Sequence, residues 1–190
     1  FTGAKDVALM LTGDVLRVVI VTTHVPLSTV KKLITHEQVT TIIQLTHRWL
    51  LEHVTGSPNI AVTGLNPHCG DGGIFGEEEL TVIIPALDSV RKEGIKASGP
   101  FSADALFAKL KPNEYDAVIT MYHDQGMIPV KMANRGTAVN VTLGLPIIRT
   151  SVDHGTAFDI AGKGCASAES LKLAIRSAAQ LVKPIAKHQT

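Results

Sequence analysis

Three histidines each follow a short apolar segment that is typical of a buried strand. They are His24, His68 and His123, which come after residues 18–21, 60–62 and 117–121. In α/β sheets, ligands bind at the carboxyl ends of the strands, so three strands could bring these imidazoles together. Neutral imidazole nitrogens are good ligands for Zn²⁺, Co²⁺ or Ni²⁺. The pattern therefore suggests a divalent metal site, with Asp124 as a partner that orients an imidazole.

The opposite interpretation is that these are ordinary loop histidines. Their spacing is not a local metal motif such as two histidines one helical turn apart. Single histidines in loops lie more often at the surface or in hydrogen bonds than on a metal. The residues alone leave both interpretations open.

Two glycine-bearing stretches could bind other parts of a ligand. Residues 66–73 (NPHCGDGG) would let backbone amides approach an anion where the loop opens onto a helix, or they form a plain turn. Residues 153–164 (DHGTAFDIAGKG) could hold adenine and ribose, since aspartate is the residue type that binds ribose hydroxyls in many dinucleotide sites. This second stretch could equally be a simple loop before the last helix.

Lys131, Asn140 and Arg149 lie on or near the strand that is predicted after His123. Lysine and arginine offer charge-assisted hydrogen bonds to carboxylate or phosphate groups. Solvated surface charge is the alternative. An unpaired Arg149 would be costly in the apolar segment 146–149, which favours a binding role for it.

The elements that would position these residues alternate between strand and helix patterns. Residues 7–11 and 15–21 could pair as a hairpin, Thr35 and Gln38 resemble a capping box, and Pro85 should kink or restart a helix that opens at residues 77–79. Further strands are predicted at 116–122 and 139–143. The last helix is predicted over 170–183, with one apolar face made of Leu171, Ile175, Ala178, Leu181 and Val182. This alternation predicts an α/β fold with a mixed or mostly parallel sheet.

Composition excludes several classes of protein. The 190 residues carry 18 basic and 17 acidic side chains, a net charge of +1 that argues against a nucleic-acid binder. Two cysteines, Cys69 and Cys165, suggest reduced thiols in a cytoplasmic protein rather than a disulfide framework. The absence of an apolar run of about 18 residues predicts that nothing spans a membrane. Because residue 1 is Phe, we expect a piece of a longer chain.

Several of these segments resemble the 4-hydroxythreonine-4-phosphate dehydrogenase family of pyridoxal phosphate biosynthesis. The matching segments are 22–27 (TTHVPL), 64–68 (GLNPH), 121–126 (MYHDQG), 139–146 (VNVTLGLP) and 149–157 (RTSVDHGTA). The last is also similar to the nucleotide-binding loop of isopropylmalate and isocitrate dehydrogenases. The resemblance implies their three-layer α/β/α fold, with these residues forming the C-terminal portion of a two-domain enzyme whose N-terminal segment is missing here.

The resemblance also implies roles for individual residues. It makes His24, His68 and His123 the ligands of a divalent metal (Zn, Mg or Co), with Asp104 and Asp124 close to the site. Substrate binding falls to Lys131, Asn140 and Arg149, and binding of NAD or NADP to His154, Gly155, Thr156, Ala157 and Asp159. The family implies a homodimer whose active site uses both subunits.

The activity that follows is a metal-dependent, NAD(P)-linked oxidation of a secondary alcohol beside a carboxylate, with loss of carbon dioxide. The substrate would be 4-hydroxythreonine 4-phosphate. Two alternatives stay open. One is a related substrate, such as D-threonate or D-erythronate 4-phosphate or a cis-dihydrodiol carboxylate, and the other is a non-catalytic α/β fragment. The residues do not identify a general base.

Overall fold

The structure, a computed structural model, describes residues 2–182 of the chain. The strands of that range are β1 (Ala8–Thr12), β2 (Arg17–Ile20), β3 (Ile60–Thr63), β4 (Ala97–Phe101), β5 (Ala117–Thr120), β6 (Val139–Leu143) and β7 (Thr150–Ser151). The α-helices are α1 (Leu27–Leu33), α2 (His36–His53), α3 (Ile84–Lys92), α4 (Ala103–Lys109), α5 (His123–Asn134) and α6 (Glu169–Leu181). A π-helical turn, Glu79–Ile83, leads into α3.

Within residues 2–182 the seven strands form one sheet, in the order β4-β3-β5-β2-β1-β6-β7. The predicted hairpin is present, since β1 pairs with β2 in antiparallel fashion. Strands β2, β5, β3 and β4 run parallel to one another. Their carboxyl ends therefore lie along one edge, and the three strands that precede the predicted ligands are immediate neighbours there. The mixed sheet agrees with the α/β prediction.

Apolar side chains cover both faces of the sheet and so make three layers. Alternate residues of one strand point to opposite faces, and Val18 and Val19 accordingly belong to separate buried clusters. One cluster is closed by α2 and α3, and the other by α5. The α/β/α architecture that the sequence predicted is confirmed. No helix in this range is both long and apolar enough to cross a bilayer.

Several local predictions hold because their signals are local. Thr35 caps α2, and its side chain accepts a hydrogen bond from the Gln38 amide at 3.1 Å. Pro85 lies in the first turn of α3, where its missing N–H costs no intrahelical bond. Helix α1 was not predicted. It begins directly after Pro26, whose carbonyl accepts hydrogen bonds from the amide and the hydroxyl of Thr29.

The predicted apolar face of α6 is only partly buried, since Leu181 packs against the core but other members of the face do not. Leu171 and Ile175 are 55% and 61% exposed, whereas Ala174 is buried. The small side chain of Ala174 lets the helix approach β7, where Thr150 Oγ1 donates to the Ala174 carbonyl at 2.8 Å. Residue 183, the predicted end of this helix, lies outside the described residues.

Helix α5 lies very close to the sheet at Gly126. A Cβ added there would overlap Thr120 Oγ1 and Val18 Cγ1 and would stand 3.3 Å from Ile20 Cγ2. Only glycine allows this approach, which fixes the distance between the sheet and the helix that carries His123.

We expect Gly126→Ala to lower the free energy of unfolding by about 1–3 kcal/mol, because the added methyl group has to push α5 off the sheet. Urea unfolding measures the change. The matched control is Gly56→Ala, a position where nothing lies within 4 Å of an added Cβ. Equal unfolding midpoints for the two variants would contradict the close approach.

Candidate active site

His24 and His123 lie side by side because their strands are parallel neighbours. The pairing of β2 with β5 continues past the strand ends, where the Thr22 amide donates to the Met121 carbonyl at 3.1 Å. The Thr22 hydroxyl donates to the same carbonyl at 2.8 Å. The centroids of the two imidazole rings are 5.1 Å apart, with their planes tilted by 44°. Two of the three predicted ligands therefore share one edge of the sheet.

Asp124 holds the imidazole of His123. Its Oδ1 lies 2.7 Å from His123 Nδ1, and the two residues form the first turn of α5. A carboxylate at Nδ1 favours the tautomer that carries its proton there and leaves Nε2 as the basic nitrogen. This is the arrangement in which an imidazole is ready to bind a metal through Nε2.

His68 follows β3, the other neighbour of β5, and is not brought into a cluster with the first two. No group of three or more His, Cys, Asp or Glu side chains in residues 2–182 could hold a metal ion. The ring of His68 instead stands 6.2 Å from that of Phe75. The three-histidine ligand set therefore stays a prediction.

The backbone around His68 takes a left-handed course. All five residues from His68 to Gly72 have positive φ, and three of them are not glycine. The left-handed conformation costs a non-glycine residue roughly 1–2 kcal/mol. These residues therefore do not form a plain strand-to-helix turn, and interactions with the rest of the protein must offset the cost of their conformation.

The buried carboxylate of Glu79 fills the amide cradle of this loop. Its Oε1 accepts from the amides of Leu65 and Asn66 at 2.8 and 2.7 Å, and its Oε2 accepts from Asn66 Nδ2 at 2.9 Å. The anion that the glycine-rich loop was predicted to receive is thus, at these two amides, a side chain of the protein itself. Hydrogen bonds to a charged group contribute about 1.5–3 kcal/mol each.

Glu78 and Glu79, at the predicted helix opening, are both buried. They are 7% and 1% exposed. Glu78 accepts from Asn66 Nδ2 at 2.7 Å and is paired with Lys31 of α1. The hydrogen bond from Lys31 is the main cause that lowers the pKa of the Glu78 carboxyl, and that from Asn66 adds to it. Burial raises the pKa of the neighbouring Cys69 thiol, which is free, as is Cys165.

Gln125 ties the His123 turn to the end of β3. Its Nε2 donates to the Gly64 carbonyl at 2.9 Å, and its Oε1 accepts from the Met121 amide at 2.7 Å and the Thr63 hydroxyl at 3.1 Å. Gln125 was not among the predicted site residues, and neither was Glu78 or Glu79. A glutamine inside the matching segment 121–126 was the only signal for the first.

A cavity of about 310 Å³, which we call the histidine cavity, opens beside His24 and His123. Six predicted site residues line it, namely His24, His123, Lys131, Asn140, His154 and Gly155. The rest of its wall is Leu9, Leu11, Met127, Val152 and Asp153. A polar set on a partly apolar wall is typical of a small-molecule site.

Lys131 and Asn140 reach this cavity from different elements. Lys131 does not lie on a strand, as the sequence suggested, but on the last turns of α5, and its Nζ donates to the Asp153 carbonyl at 2.7 Å. Asn140 lies on β6, and its Oδ1 is buried with no hydrogen-bond partner among residues 2–182. A buried acceptor without a donor costs about 1–3 kcal/mol, so this oxygen is available to a ligand.

The other predicted residues lie around the cavity or away from it. Arg149 precedes β7, and its Nη1 donates to Thr142 Oγ1 at 2.8 Å, two residues along β6 from Asn140. Thr156, Ala157 and Asp159 are exposed and do not line the cavity.

Asp104 opens α4, near the loop that carries His68. The Ser102 hydroxyl, which donates to it at 2.5 Å, is the main cause that lowers the pKa of the Asp104 carboxyl. An electrostatic contribution from His68 also lowers the pKa of this carboxyl.

A larger cavity, of about 660 Å³, lies between α2 and the loop after β6. Its wall includes Arg149 but none of His24, His68 and His123. We assign the chemistry to the histidine cavity despite its smaller volume, because six of the predicted site residues line it.

The fold and this set of residues define a member of one family. Residues 1–178 match the family described as pyridoxal phosphate biosynthetic protein PdxA, and the chain belongs to it. It is similar to 4-hydroxythreonine-4-phosphate dehydrogenase of Geobacter metallireducens, at 55% identity over 181 residues, which are 95% of this chain and 53% of that protein. The chain spans about half the length of the curated relatives it matches.

Two solved structures are also similar to the chain. The 4-hydroxythreonine-4-phosphate dehydrogenase from Klebsiella pneumoniae superposes with a TM-score of 0.87 at 40% identity, over 96% of this chain and 56% of that one. A terephthalate 1,2-cis-dihydrodiol dehydrogenase from Burkholderia xenovorans LB400 gives 0.75 at 32% identity, over 92% and 56%.

A pair of asparagine variants separates a binding group from a structural one. Asn140→Leu removes an unsatisfied buried oxygen, so we expect the free energy of unfolding to stay the same or to rise by up to about 1 kcal/mol. Asn134→Leu is the control. Its Oδ1 accepts from the Val15 and Leu16 amides, and its Nδ2 donates to the Leu16 and Val130 carbonyls. We expect it to lose about 2–4 kcal/mol in urea unfolding. A similar loss for Asn140→Leu would show that its oxygen is satisfied.

Proposed function

We propose that the protein catalyses the NAD(P)-dependent, metal-dependent oxidative decarboxylation of 4-hydroxythreonine 4-phosphate. The observation that carries the proposal is the histidine cavity, which brings together six residues that the family resemblance marks for metal, substrate and cofactor. The curated relatives, which are 46–55% identical, bear the name of this activity. The identity of 32% to the dihydrodiol dehydrogenase is lower and leaves that reaction as the second candidate.

The donor set fits a divalent cation in part. His24 and His123 offer two imidazoles at one edge, and Asp124 leaves Nε2 of His123 as the basic nitrogen. A zinc, magnesium or cobalt ion, when bound, lowers the pKa of the substrate hydroxyl and stabilises the negative charge that develops as carbon dioxide leaves. We propose His68 as the third ligand. We also propose a homodimer whose active site uses residues of both subunits.

The protein's own residues would bind and orient the substrate. Lys131 sits at the cavity with its Nζ on the Asp153 carbonyl, and it would neutralise a phosphate or carboxylate group. The unpaired Asn140 oxygen would accept a hydrogen bond from a hydroxyl or ammonium group. Arg149, which is exposed beside Thr142, would bind the remaining anionic group in two-pronged fashion.

The nicotinamide cofactor would lie on the other side of the same cavity. His154 and Gly155 line it, and Thr156, Ala157 and Asp159 continue from them toward solvent. Oxidation transfers a hydride from the substrate carbon to NAD⁺ or NADP⁺ and releases the hydroxyl proton, which leaves a β-keto acid. A reaction on phosphorylated metabolites with a nicotinamide cofactor suits the cytoplasm, where we place the protein.

A substrate panel tests the reaction. We expect the intact protein with a divalent ion to form NADH or NADPH fastest with 4-hydroxythreonine 4-phosphate. The comparison substrates are D-threonate 4-phosphate, D-erythronate 4-phosphate and a terephthalate cis-dihydrodiol. Turnover is followed by the near-ultraviolet absorbance of the reduced nicotinamide. Faster turnover of one of the comparison substrates would move the assignment to that reaction, and no turnover of any would favour a non-catalytic fragment.

Metal binding tests the ligands. We expect His24→Ala, His68→Ala and His123→Ala each to weaken Co²⁺ binding by at least about 10-fold, because each removes one imidazole from an incomplete shell. Titration followed by visible absorbance measures the affinity. His36→Ala, whose ring contacts Ser89 on the outer surface of α2 and α3, is the control and should bind normally. Unchanged binding in all three variants would reject the three-histidine site.

A further inference from the structure

The most deeply buried carboxylate among residues 2–182, that of Glu79, has no part in the proposed reaction. Glu79 is 1% exposed, yet no basic side chain among residues 2–182 forms an ion pair with it. A buried carboxylate is tolerated only when hydrogen bonds replace its water shell. Three donors do so here, and all three belong to Leu65 and Asn66. The charge of Glu79 is therefore committed to the loop that leads to His68.

The packing around this carboxylate leaves the loop little freedom. A Cβ added at Gly64 would stand 2.8 Å from Glu79 Oε1, and one added at Gly70 would stand 2.8 Å from Oε2. The loop thus wraps the carboxylate on both sides of His68, from residue 64 to residue 70. His68 lies inside this wrap, at the first of the five left-handed residues.

The same loop is tied to the turns that carry the other two histidines. Asn66 Nδ2 also donates to Glu78, which is paired with Lys31 on the helix after His24. On the other side, Gln125 beside His123 donates to the carbonyl of Gly64. Glu79 is the member of this network that accepts from backbone amides of the loop itself, so removing it should release the loop while the two outer ties remain.

We propose that Glu79 is a positioning residue for His68. It acts through the amides of Leu65 and Asn66, which it holds so that the left-handed turn presents the His68 imidazole in one orientation. The carboxylate itself touches neither substrate nor metal. This inference rests on the proposed function, since it assigns His68 a role as ligand, and it adds a residue that the ligand set does not include.

Two variants at the same position separate the role from simple stability. Glu79→Gln keeps an oxygen that can accept from both amides but loses the acceptor for Asn66 Nδ2. Glu79→Ala loses every acceptor. Val90→Ala, in the fully buried core of α3, is the control for general destabilisation far from the loop. His68→Ala is the control for loss of the ligand.

Two measurements are made on the full chain. Amide hydrogen exchange should speed up at Leu65 and Asn66 in Glu79→Ala, with a smaller change in Glu79→Gln and none specific to these amides in Val90→Ala. Co²⁺ affinity should fall about 10- to 100-fold in Glu79→Ala, in the range seen for residues that orient a ligand, and Glu79→Gln should recover most of it. Val90→Ala should bind Co²⁺ like the wild type.

The outcomes distinguish this inference from the proposed function. If His68→Ala weakens Co²⁺ binding but Glu79→Ala does not, the positioning role is overturned while the ligand set stands. If Val90→Ala weakens binding as much as Glu79→Ala, the effect is general stability and the role is again overturned. If the wild type does not bind Co²⁺, or His68→Ala binds it normally, the ligand set itself fails and the positioning role falls with it.

Discussion

The parallel pairing of β2 with β5 is the constraint on which the site depends. Its hydrogen bonds continue beyond the regular strands to Thr22 and Met121, so the two chains leave the sheet together. This pairing brings the ring centroids of His24 and His123 to 5.1 Å from each other. A slip of one residue would turn every side chain of one strand to the opposite face and would separate the imidazoles. The close approach of α5 at Gly126 then fixes the height at which His123 and Lys131 stand above the sheet.

Buried polar groups among residues 2–182 divide into those that build the fold and those without a partner, and of the latter Asn140 lines the histidine cavity. Asn134, Glu79 and Gln125 each use both ends of their side chains on backbone or side-chain partners. Asn140 has a buried oxygen with nothing to accept from in the described chain. In a low-dielectric interior, paired polar groups make the structure more rigid, whereas an unpaired one destabilises it unless a ligand binds. The unpaired Asn140 oxygen therefore supports a binding role for the histidine cavity independently of the cavity's shape.

The sequence predicted the parts of the fold whose signals are local. The β1–β2 hairpin, the Thr35 cap and the restart at Pro85 each depend on a few neighbouring residues. Strand β4 was not predicted, because it contains Gly99 and Pro100 and only its pairing with β3 makes it a strand. The buried face of α6 was predicted only in part, for a similar reason. Periodicity marks which side chains are apolar, whereas contact with β7 decides which of them are buried.

The sequence indicated the residues of the candidate site better than it indicated how they are arranged in space. Six of them line one cavity, since strand ends meet at one edge whatever the details of the loops. The acidic run that contains Glu78 and Glu79 was predicted only to open a helix, because the sequence does not distinguish a solvated acid from a buried one. The position of His68 could not be predicted, because it depends on backbone angles that side-chain pattern does not encode.

The left-handed turn also bears on why an imidazole stands at position 68 at all. Glycine would adopt that backbone conformation without strain, whereas the left-handed conformation costs histidine roughly 1–2 kcal/mol. Total stability of a domain is only about 5–15 kcal/mol, so this is a sizeable fraction of it. The backbone conformation at this position thus opposes a histidine, and any favourable contribution of the residue comes from its imidazole ring, which stands 6.2 Å from that of Phe75.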